Sequence, residues 1–295
     1  MFQFFANIFG FLLNFIIIFV GNYGLAIILF TVLIKIIMLP LSIKQQRTMK
    51  KSTELNEKIK VLQFKYKNDP EKLNREMMDL YKKENMSPFS GCLSTISQFI
   101  LLISIFYMVR CPLTYMEKIN NDQINTYVQQ LKDGGFTVNQ AYSEIDIIRE
   151  LDYLKEKMPE DEGLNKINLN MNFCGLDLSK IPQQNLNDWT VYIIPALYII
   201  STFISMKITT SMQKKSKKND GVIDITEKEE KDSKEEEKNE MEDMMEQSNK
   251  MMSWMMPIMS VSISLVAPLG LALYWLVNNI LMIGERLVLN KIIKD

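Results

Sequence analysis

Long apolar runs alternate with charged stretches along the 295-residue chain. A helix that crosses a bilayer needs about 20 mainly apolar residues. Five runs meet or approach that length, and Pro268 and Gly270 separate the last two, which predicts a tight turn between them. The predicted spans are 23–43, 92–110, 190–208, 252–267 and 269–289. The pattern therefore predicts an all-α fold: a polytopic membrane helix bundle of five transmembrane helices.

The apolar residues 1–20 differ from these spans because polar or small residues recur along one stripe at helical spacing. The stripe consists of Gln3, Asn7, Gly10 and Asn14. It predicts an amphipathic helix that lies in the outer membrane interface. A sixth span is the competing interpretation. The other segments are predicted as a cytoplasmic helical hairpin, 44–88, an extracellular segment, 112–188, a flexible charged cytoplasmic linker, 209–250, and a cytoplasmic tail, 290–295.

The hairpin segment is charged and rich in helix-forming residues. Asn68-Asp69-Pro70 predicts its turn, with Pro70 suited to the first position of a second helix. Each helix carries one apolar stripe, Leu55, Ile59, Leu62 and Tyr66 in the first and Leu73, Met77, Leu80 and Tyr81 in the second. The stripes either pack against each other or belong to a projecting element that receives a partner. The pattern of the extracellular segment predicts short helices, as in 139–157, and either a strand or a docking segment at 169–178.

Lys and Arg near the span ends predict the orientation, because cytoplasmic flanks carry an excess of them. Basic residues outnumber acidic ones in 44–86 and follow the third and fifth spans, whereas acidic residues outnumber basic ones in 112–188. All three basic regions lie on one side if there are five spans. We therefore expect a multi-pass protein of a bacterial cell membrane, with its N-terminus outside and its C-terminus in the cytoplasm.

The composition argues against an enzyme. The chain has no histidine, the commonest metal ligand and general base, and it lacks nucleotide-binding and protease motifs. Its paired carboxylates lie in charge runs that predict solvated surface. We predict no catalytic residue, metal or cofactor. Cys111 and Cys174 fall on the same predicted outer side, and the sequence leaves their pairing open.

Lys35 is the only charged residue in the run 23–43. A charge near the bilayer centre costs roughly 2.5–3.5 kcal/mol on insertion scales, so it needs water, a partner or a function. Snorkelling to the cytoplasm is one solution, but Ile43 lies eight residues away, about 12 Å along the helix. A water-filled cavity inside the bundle is the favoured interpretation. Thr31 lies one turn before Lys35 and shares its face.

Several stretches resemble the YidC-type membrane protein insertases of the YidC/Oxa/Alb superfamily, in their short five-span bacterial form. NYGLAIILFTVLIKIIMLPLSIKQQRTMKK resembles the first core span and its exit. NDPEKLNREMMDLYKKENMSPFSGCLSTISQFILLISIFY resembles the second hairpin helix and the next span. NFCGLDLSKIP, YIIPALYIISTFISMK and PLGLALYWLVNNILMIGE resemble the outer approach, the third span and the last span. These matches cover most of the chain outside 112–166 and the charged linker.

The resemblance implies a membrane protein insertase and chaperone with a positively charged hydrophilic groove that is open to cytoplasm and lipid. The basic residue of that groove is usually Arg, and the matching position is Lys35, which keeps the charge but not the rigid fork of donors. Thr31, Gln98 and Trp275 match other positions that line or flank the groove. Asn278 and Asn279 interrupt the fifth span and complete the candidate groove residues.

The expected partners are nascent membrane proteins and membrane lipids, with the ribosome and a Sec-type translocon as further candidates. DNA is not an expected partner, and the oligomeric state is left open. Two alternatives remain: a small-anion channel or transporter that uses Lys35, and a membrane scaffold that recruits partners through its hairpin.

Overall fold

A computed structural model of the chain describes residues 2–66, 69–84, 86, 90–219, 258–259 and 261–292, with the side chains of 90–98 and of some other helical residues left out. The described chain is almost entirely helical, with a single two-stranded sheet. Within it, four helices are long and apolar enough to cross a membrane: Phe2–Val20, Tyr23–Ser52, Trp189–Ile208 and Leu269–Leu289. The prediction of an all-α polytopic membrane bundle is confirmed.

The part of the chain that the structure describes contains five long helices. They are α1 (Phe2–Val20), α2 (Tyr23–Lys65), α4 (Ser90–Arg110), α10 (Ile193–Asn219) and α11 (Leu269–Ile292). The apolar part of α4 with described side chains, Phe99–Arg110, is shorter than a full span. Most of the predicted span 252–267 lies outside the described residues, although 261–266 are helical. The number of five spans stays a prediction.

Helix α2 is one continuous helix of 43 residues, although the sequence divides a span from a hairpin near residue 43. Asn22 caps its start by accepting a hydrogen bond from the Leu25 N–H (3.0 Å). Pro40 lies inside the helix, which continues through it. The apolar span is therefore joined rigidly to the first helix of the charged hairpin.

The second hairpin helix, α3 (Pro70–Lys83), begins at Pro70, as predicted. Asp69 caps it by accepting a hydrogen bond from the Lys72 N–H (3.0 Å). On α2, Leu55 and Ile59 are buried, and the remaining residues of both predicted stripes are half-buried. Lys58 and Glu84 form an ion pair across the hairpin, and this hydrogen bond lowers the pKa of Glu84. These features describe an α-hairpin whose apolar stripes lie on its more buried side.

The polar stripe of α1 contacts the protein. The Asn14 amide donates to the Met116 carbonyl (3.1 Å), and the Lys118 Nζ donates to Asn7 Oδ1 (2.8 Å). Gly10 lets α1 pack closely against the backbone at Tyr115, since a Cβ at this position would collide with the Tyr115 carbonyl. The outward face is apolar, with Phe4, Phe11, Phe15, Ile18 and Phe19 exposed. Whether α1 spans the membrane or lies in its interface stays a prediction.

The segment between α4 and α10 contains five short helices, a β-hairpin and two 3-10 helices. The short helices are α5 (Pro112–Tyr115), α6 (Asn121–Asp133), α7 (Ser143–Arg149), α8 (Leu151–Lys157) and α9 (Glu162–Lys166). The 3-10 helices are Pro182–Gln184 and Trp189–Tyr192. Strands β1 (Asn172–Phe173) and β2 (Leu176–Asp177) pair antiparallel, with Asn172 opposite Asp177 and Phe173 opposite Leu176. This hairpin lies within the predicted strand region 169–178.

Glu144 is a buried carboxylate that joins α7 to α5. It accepts hydrogen bonds from the Thr114 N–H (2.9 Å) and the Thr114 hydroxyl (2.7 Å). Desolvation nevertheless raises its pKa. Burial also raises the pKa of the nearby Cys111 thiol to about 12. Cys111 and Cys174 are both free thiols, so the disulfide that the sequence left open is not present in the structure.

The β-hairpin and the residues beside it connect the beginnings of α2 and α11. The Tyr23 N–H donates to the Asn170 carbonyl (3.0 Å), and the Asn22 amide donates to the Asn172 carbonyl (2.6 Å). The N–H groups of Leu269 and Gly270 donate to the carbonyls of Lys180 (2.9 Å) and Leu178 (3.0 Å). The three backbone bonds, from Tyr23, Leu269 and Gly270, satisfy N–H groups that a helix start leaves unpaired. They hold the two helices together at one end.

Candidate functional site

A cavity of about 220 Å³ lies between α2 and α11. The described residues that form its walls are apolar except for one lysine and one glutamate. The lining residues are Val32, Lys35, Ile36, Leu39, Leu281, Glu285, Val288 and Leu289. Two helices with apolar faces thus enclose two opposite charges, which is the arrangement that a buried or half-buried charge requires.

Lys35 and Glu285 face each other across this cavity. The Lys35 Nζ lies 3.3 Å from Glu285 Oε2, and the two side chains are 22% and 14% exposed. Neither charge is fully desolvated, and each partly compensates the other. Removal of Glu285 leaves the half-buried Lys35 charge among aliphatic cavity side chains, which is more costly than loss of an exposed ion pair, whereas Glu285 also interacts electrostatically with Arg286.

Glu285 was not among the residues predicted from the sequence. It is the only Asp or Glu in the predicted span 269–289, a signal equivalent to the one that identified Lys35. Arg286 follows Glu285 directly, and two adjacent charges are typical of the end of a span. The geometry shows instead that Glu285 lies on the cavity side of α11.

Thr31 and Trp275 are not among the residues that line the cavity. Thr31 is buried, and its hydroxyl donates to the Ile27 carbonyl of its own helix (2.6 Å). Trp275 is buried against Tyr198, with ring centroids 6.1 Å apart. Both residues therefore make contacts inside the protein, and their role in a groove stays a prediction.

The two consecutive asparagines of α11 have different environments. The buried Asn279 amide donates to Ser201 Oγ (3.0 Å) and to Thr202 Oγ1 (3.1 Å) on α10. Asn278 is half-buried. Gln98 lies in α4, but its side chain is outside the described residues. Of the six residues predicted from the sequence, Lys35 is the one that lines the cavity among those described.

The described residues contain no cluster of three or more His, Cys, Asp or Glu side chains able to hold a metal ion. The chemistry available at the cavity is therefore that of one ammonium group and one carboxylate between apolar walls. Such a site can attract a charged or polar group.

A sequence profile described as "60Kd inner membrane protein" matches residues 15–295, which include every element that forms the cavity. The chain belongs to the 60Kd inner membrane protein family. The resemblance stated from the sequence motifs is thereby confirmed, because the relatives that match carry the name "Membrane protein insertase YidC".

Three bacterial proteins illustrate the similarity to these relatives. The chain is 48% identical over 101 residues to the protein of Caldanaerobacter subterraneus subsp. tengcongensis, covering 34% of this chain and 49% of the relative. It is 28% identical over 277 residues to the Chlorobaculum parvum protein, covering 94% of this chain and 34% of the relative. It is 46% identical over 109 residues to the Francisella tularensis subsp. novicida protein, covering 37% of this chain and 20% of the relative.

The matched part of this family member spans about half of the first curated relative, about a third of the second and a fifth of the third. Together with the apolar helices, the family identifies a multi-pass bacterial membrane protein.

Proposed function

We propose that this protein is a membrane protein insertase and chaperone that receives the polar segment of a client at the Lys35 cavity. The observation that carries the proposal is a half-buried ammonium group inside an apolar-walled cavity between two long helices of the bundle. The name of the relatives, "Membrane protein insertase YidC", supports this proposal.

The positive charge lowers the cost of moving an acidic segment partway into the membrane. A carboxylate in hydrocarbon is costly, whereas a carboxylate that meets an ammonium group in a partly hydrated cavity is compensated. The client's outer segment therefore enters the cavity transiently and leaves it on the far side. The resemblance implies that the cavity belongs to a groove open to cytoplasm and lipid.

The apolar segment of the client follows a different path. Ile37 on α2, which is not among the cavity-lining residues, is more than half exposed, and Phe203 and Ile204 expose apolar surface on α10. A client helix slides along such surface into lipid, and each CH₂ that leaves water contributes roughly 0.8 kcal/mol. This transfer supplies the driving force, so insertion needs no nucleotide. We therefore propose that the protein is not an enzyme.

The remaining assignments complete the proposal. The protein has five spans and an interfacial helix at 1–20, with the N-terminus outside and the C-terminus in the cytoplasm. The hairpin formed by the end of α2 and by α3 then lies in the cytoplasm, where its lysines are accessible to a ribosome or to lipid headgroups. A Sec-type translocon is a further candidate partner.

The test compares Lys35→Arg, Lys35→Gln and Lys35→Glu in proteoliposomes that contain only this protein. The client is a single-span protein with a short acidic outer tail, and insertion is measured by protease protection of the tail. We expect near-normal insertion with Arg, reduced insertion with Gln and the least with Glu. Lys44→Gln is the matched control, since Lys44 is an exposed lysine on the same helix outside the cavity.

Normal insertion of the acidic client by Lys35→Glu contradicts the proposed mechanism. If the vesicles conduct small anions and insert no client, the channel alternative is supported instead. Deletion of 50–84 distinguishes the scaffold alternative, because a scaffold loses all activity without its hairpin, whereas the cavity retains some insertion.

A further inference from the structure

We propose that Glu285 is a built-in competitor for Lys35 that sets how acidic a client segment must be to occupy the cavity. The inference rests on the proposed function and deepens it, because it concerns which clients the same cavity accepts. Its central observation is the Glu285 carboxylate, 3.3 Å from the Lys35 ammonium, at the place where a client carboxylate would bind.

Among the described residues that line the cavity, Lys35 and Glu285 are the two charged ones. The six other lining residues are all aliphatic, so they offer no side-chain hydrogen bond to Lys35 or to Glu285. The two side chains are also mostly shielded, with exposures of 22% and 14%. A client carboxylate that reaches Lys35 must therefore displace Glu285 or share the ammonium with it.

The two helices that carry the pair are held together elsewhere. The hydrogen bonds around β1 and β2 connect the starts of α2 and α11, and Gly270 packs against the Tyr23 ring at the same end. Lys35 and Glu285 lie on later turns of these helices. Exchange of the Lys35 partner thus leaves the connection between the helix starts intact, so the cavity can change partners without loss of the fold.

This competition has two consequences for a client. A tail with a single carboxylate gains little, because it replaces one carboxylate by another, whereas a tail with several carboxylates has a higher local concentration of competing groups. After the tail has left, Glu285 pairs again with Lys35, which favours release. Glu285 therefore acts as a specificity-determining residue for acidic tails.

The test uses three single-span clients whose otherwise identical tails carry zero, one or three Asp residues. Initial insertion rates are measured in proteoliposomes with wild type, Glu285→Gln, Lys35→Gln and the double variant. Partly exposed ion pairs correspond to factors of about two to five in an equilibrium constant. We expect Glu285→Gln to raise the rate for the one-Asp tail by about that factor and to leave the zero-Asp tail unchanged.

The other variants separate competition from a structural role. In Lys35→Gln, Glu285 keeps its negative charge in the cavity lining and repels acidic tails, so the double variant should insert the three-Asp tail faster than Lys35→Gln does. The double variant should also lose its dependence on the number of Asp residues. Glu84→Gln is the matched control, because it removes the carboxylate of another Lys–Glu pair, which lies on the hairpin outside the cavity.

The outcomes distinguish this inference from the proposed function. A wild-type protein that inserts none of the three clients refutes both. Insertion by wild type that Glu285→Gln changes equally for all tails, or not at all, refutes the inference alone. A rate increase confined to the acidic tails supports it.

Discussion

The hydrogen bonds of Asn279 provide a quantitative test of how α10 and α11 are held together. The Asn279 amide donates to the hydroxyls of Ser201 and Thr202, and both hydroxyls donate in turn to the Tyr198 carbonyl. Removal of Asn279 thus leaves these hydroxyl donors satisfied, and the cost is that of the two lost bonds. Hydrogen bonds between membrane helices average ~0.6 kcal/mol in double-mutant cycles, so the two together contribute about 1.2 kcal/mol.

The coupling is measured by a cycle that combines Asn279→Leu with the paired change Ser201→Ala and Thr202→Val. Thermal unfolding in detergent is followed by circular dichroism. A coupling energy of this size corresponds to about 2–5 °C in Tm beyond the sum of the separate effects. The half-buried neighbour provides the control, since Asn278→Leu should show no coupling to the same hydroxyls. Zero coupling for Asn279, or equal coupling for Asn278, refutes the reasoning.

Three further predictions concern packing, pH dependence and orientation. Gly10→Ala should lower Tm because its Cβ meets backbone, whereas Gly284→Ala, at a helical glycine with open space around it, should raise Tm slightly through helix propensity; equal effects would contradict the packing. The folded-state pKa of Glu144 is raised above its unfolded value, so its ionisation costs stability as pH rises from the unfolded to the folded pKa. Over that range wild type should lose Tm relative to Glu144→Gln, and a constant difference refutes this. A membrane-impermeant maleimide applied to intact cells should label the exposed Cys174 and react slowly with Cys111, whose pKa is raised by burial. Labelling of Cys174 only after cell lysis would reverse the proposed orientation.

The sequence predicted those features that depend on local pattern. The apolar runs predicted the membrane helices, and Pro70 marked the start of α3, because proline fits the first helical position without loss of a hydrogen bond. The sequence did not predict that α2 continues without a break from the span into the hairpin. Pro40 lies in a run of strongly apolar residues, and the boundary at 43 was read from the change in charge, whereas helix geometry does not end where polarity changes.

The candidate site was predicted in part. Lys35 was identified because an isolated charge in a span is energetically anomalous, and this argument is local. Its pairing with Glu285 depends on the relative rotation of α2 and α11, which 250 residues of sequence separation conceal. Likewise, Asn279 and Asn278 are equivalent by composition, and only the packing of α10 against α11 assigns the hydrogen bonds to Asn279.

The central claim, that the Lys35 cavity receives the polar tail of a client, is tested most directly by site-specific crosslinking. A photoreactive residue is placed at Ile36, which lines the cavity, or at Ile37, which does not, and both side chains are more than half exposed. Each variant is presented with a stalled client chain whose acidic tail carries the label. We expect the tail to crosslink at Ile36 and Lys35→Glu to abolish this product. Equal crosslinking at both positions, or a product at Ile36 that survives Lys35→Glu, would contradict the central claim.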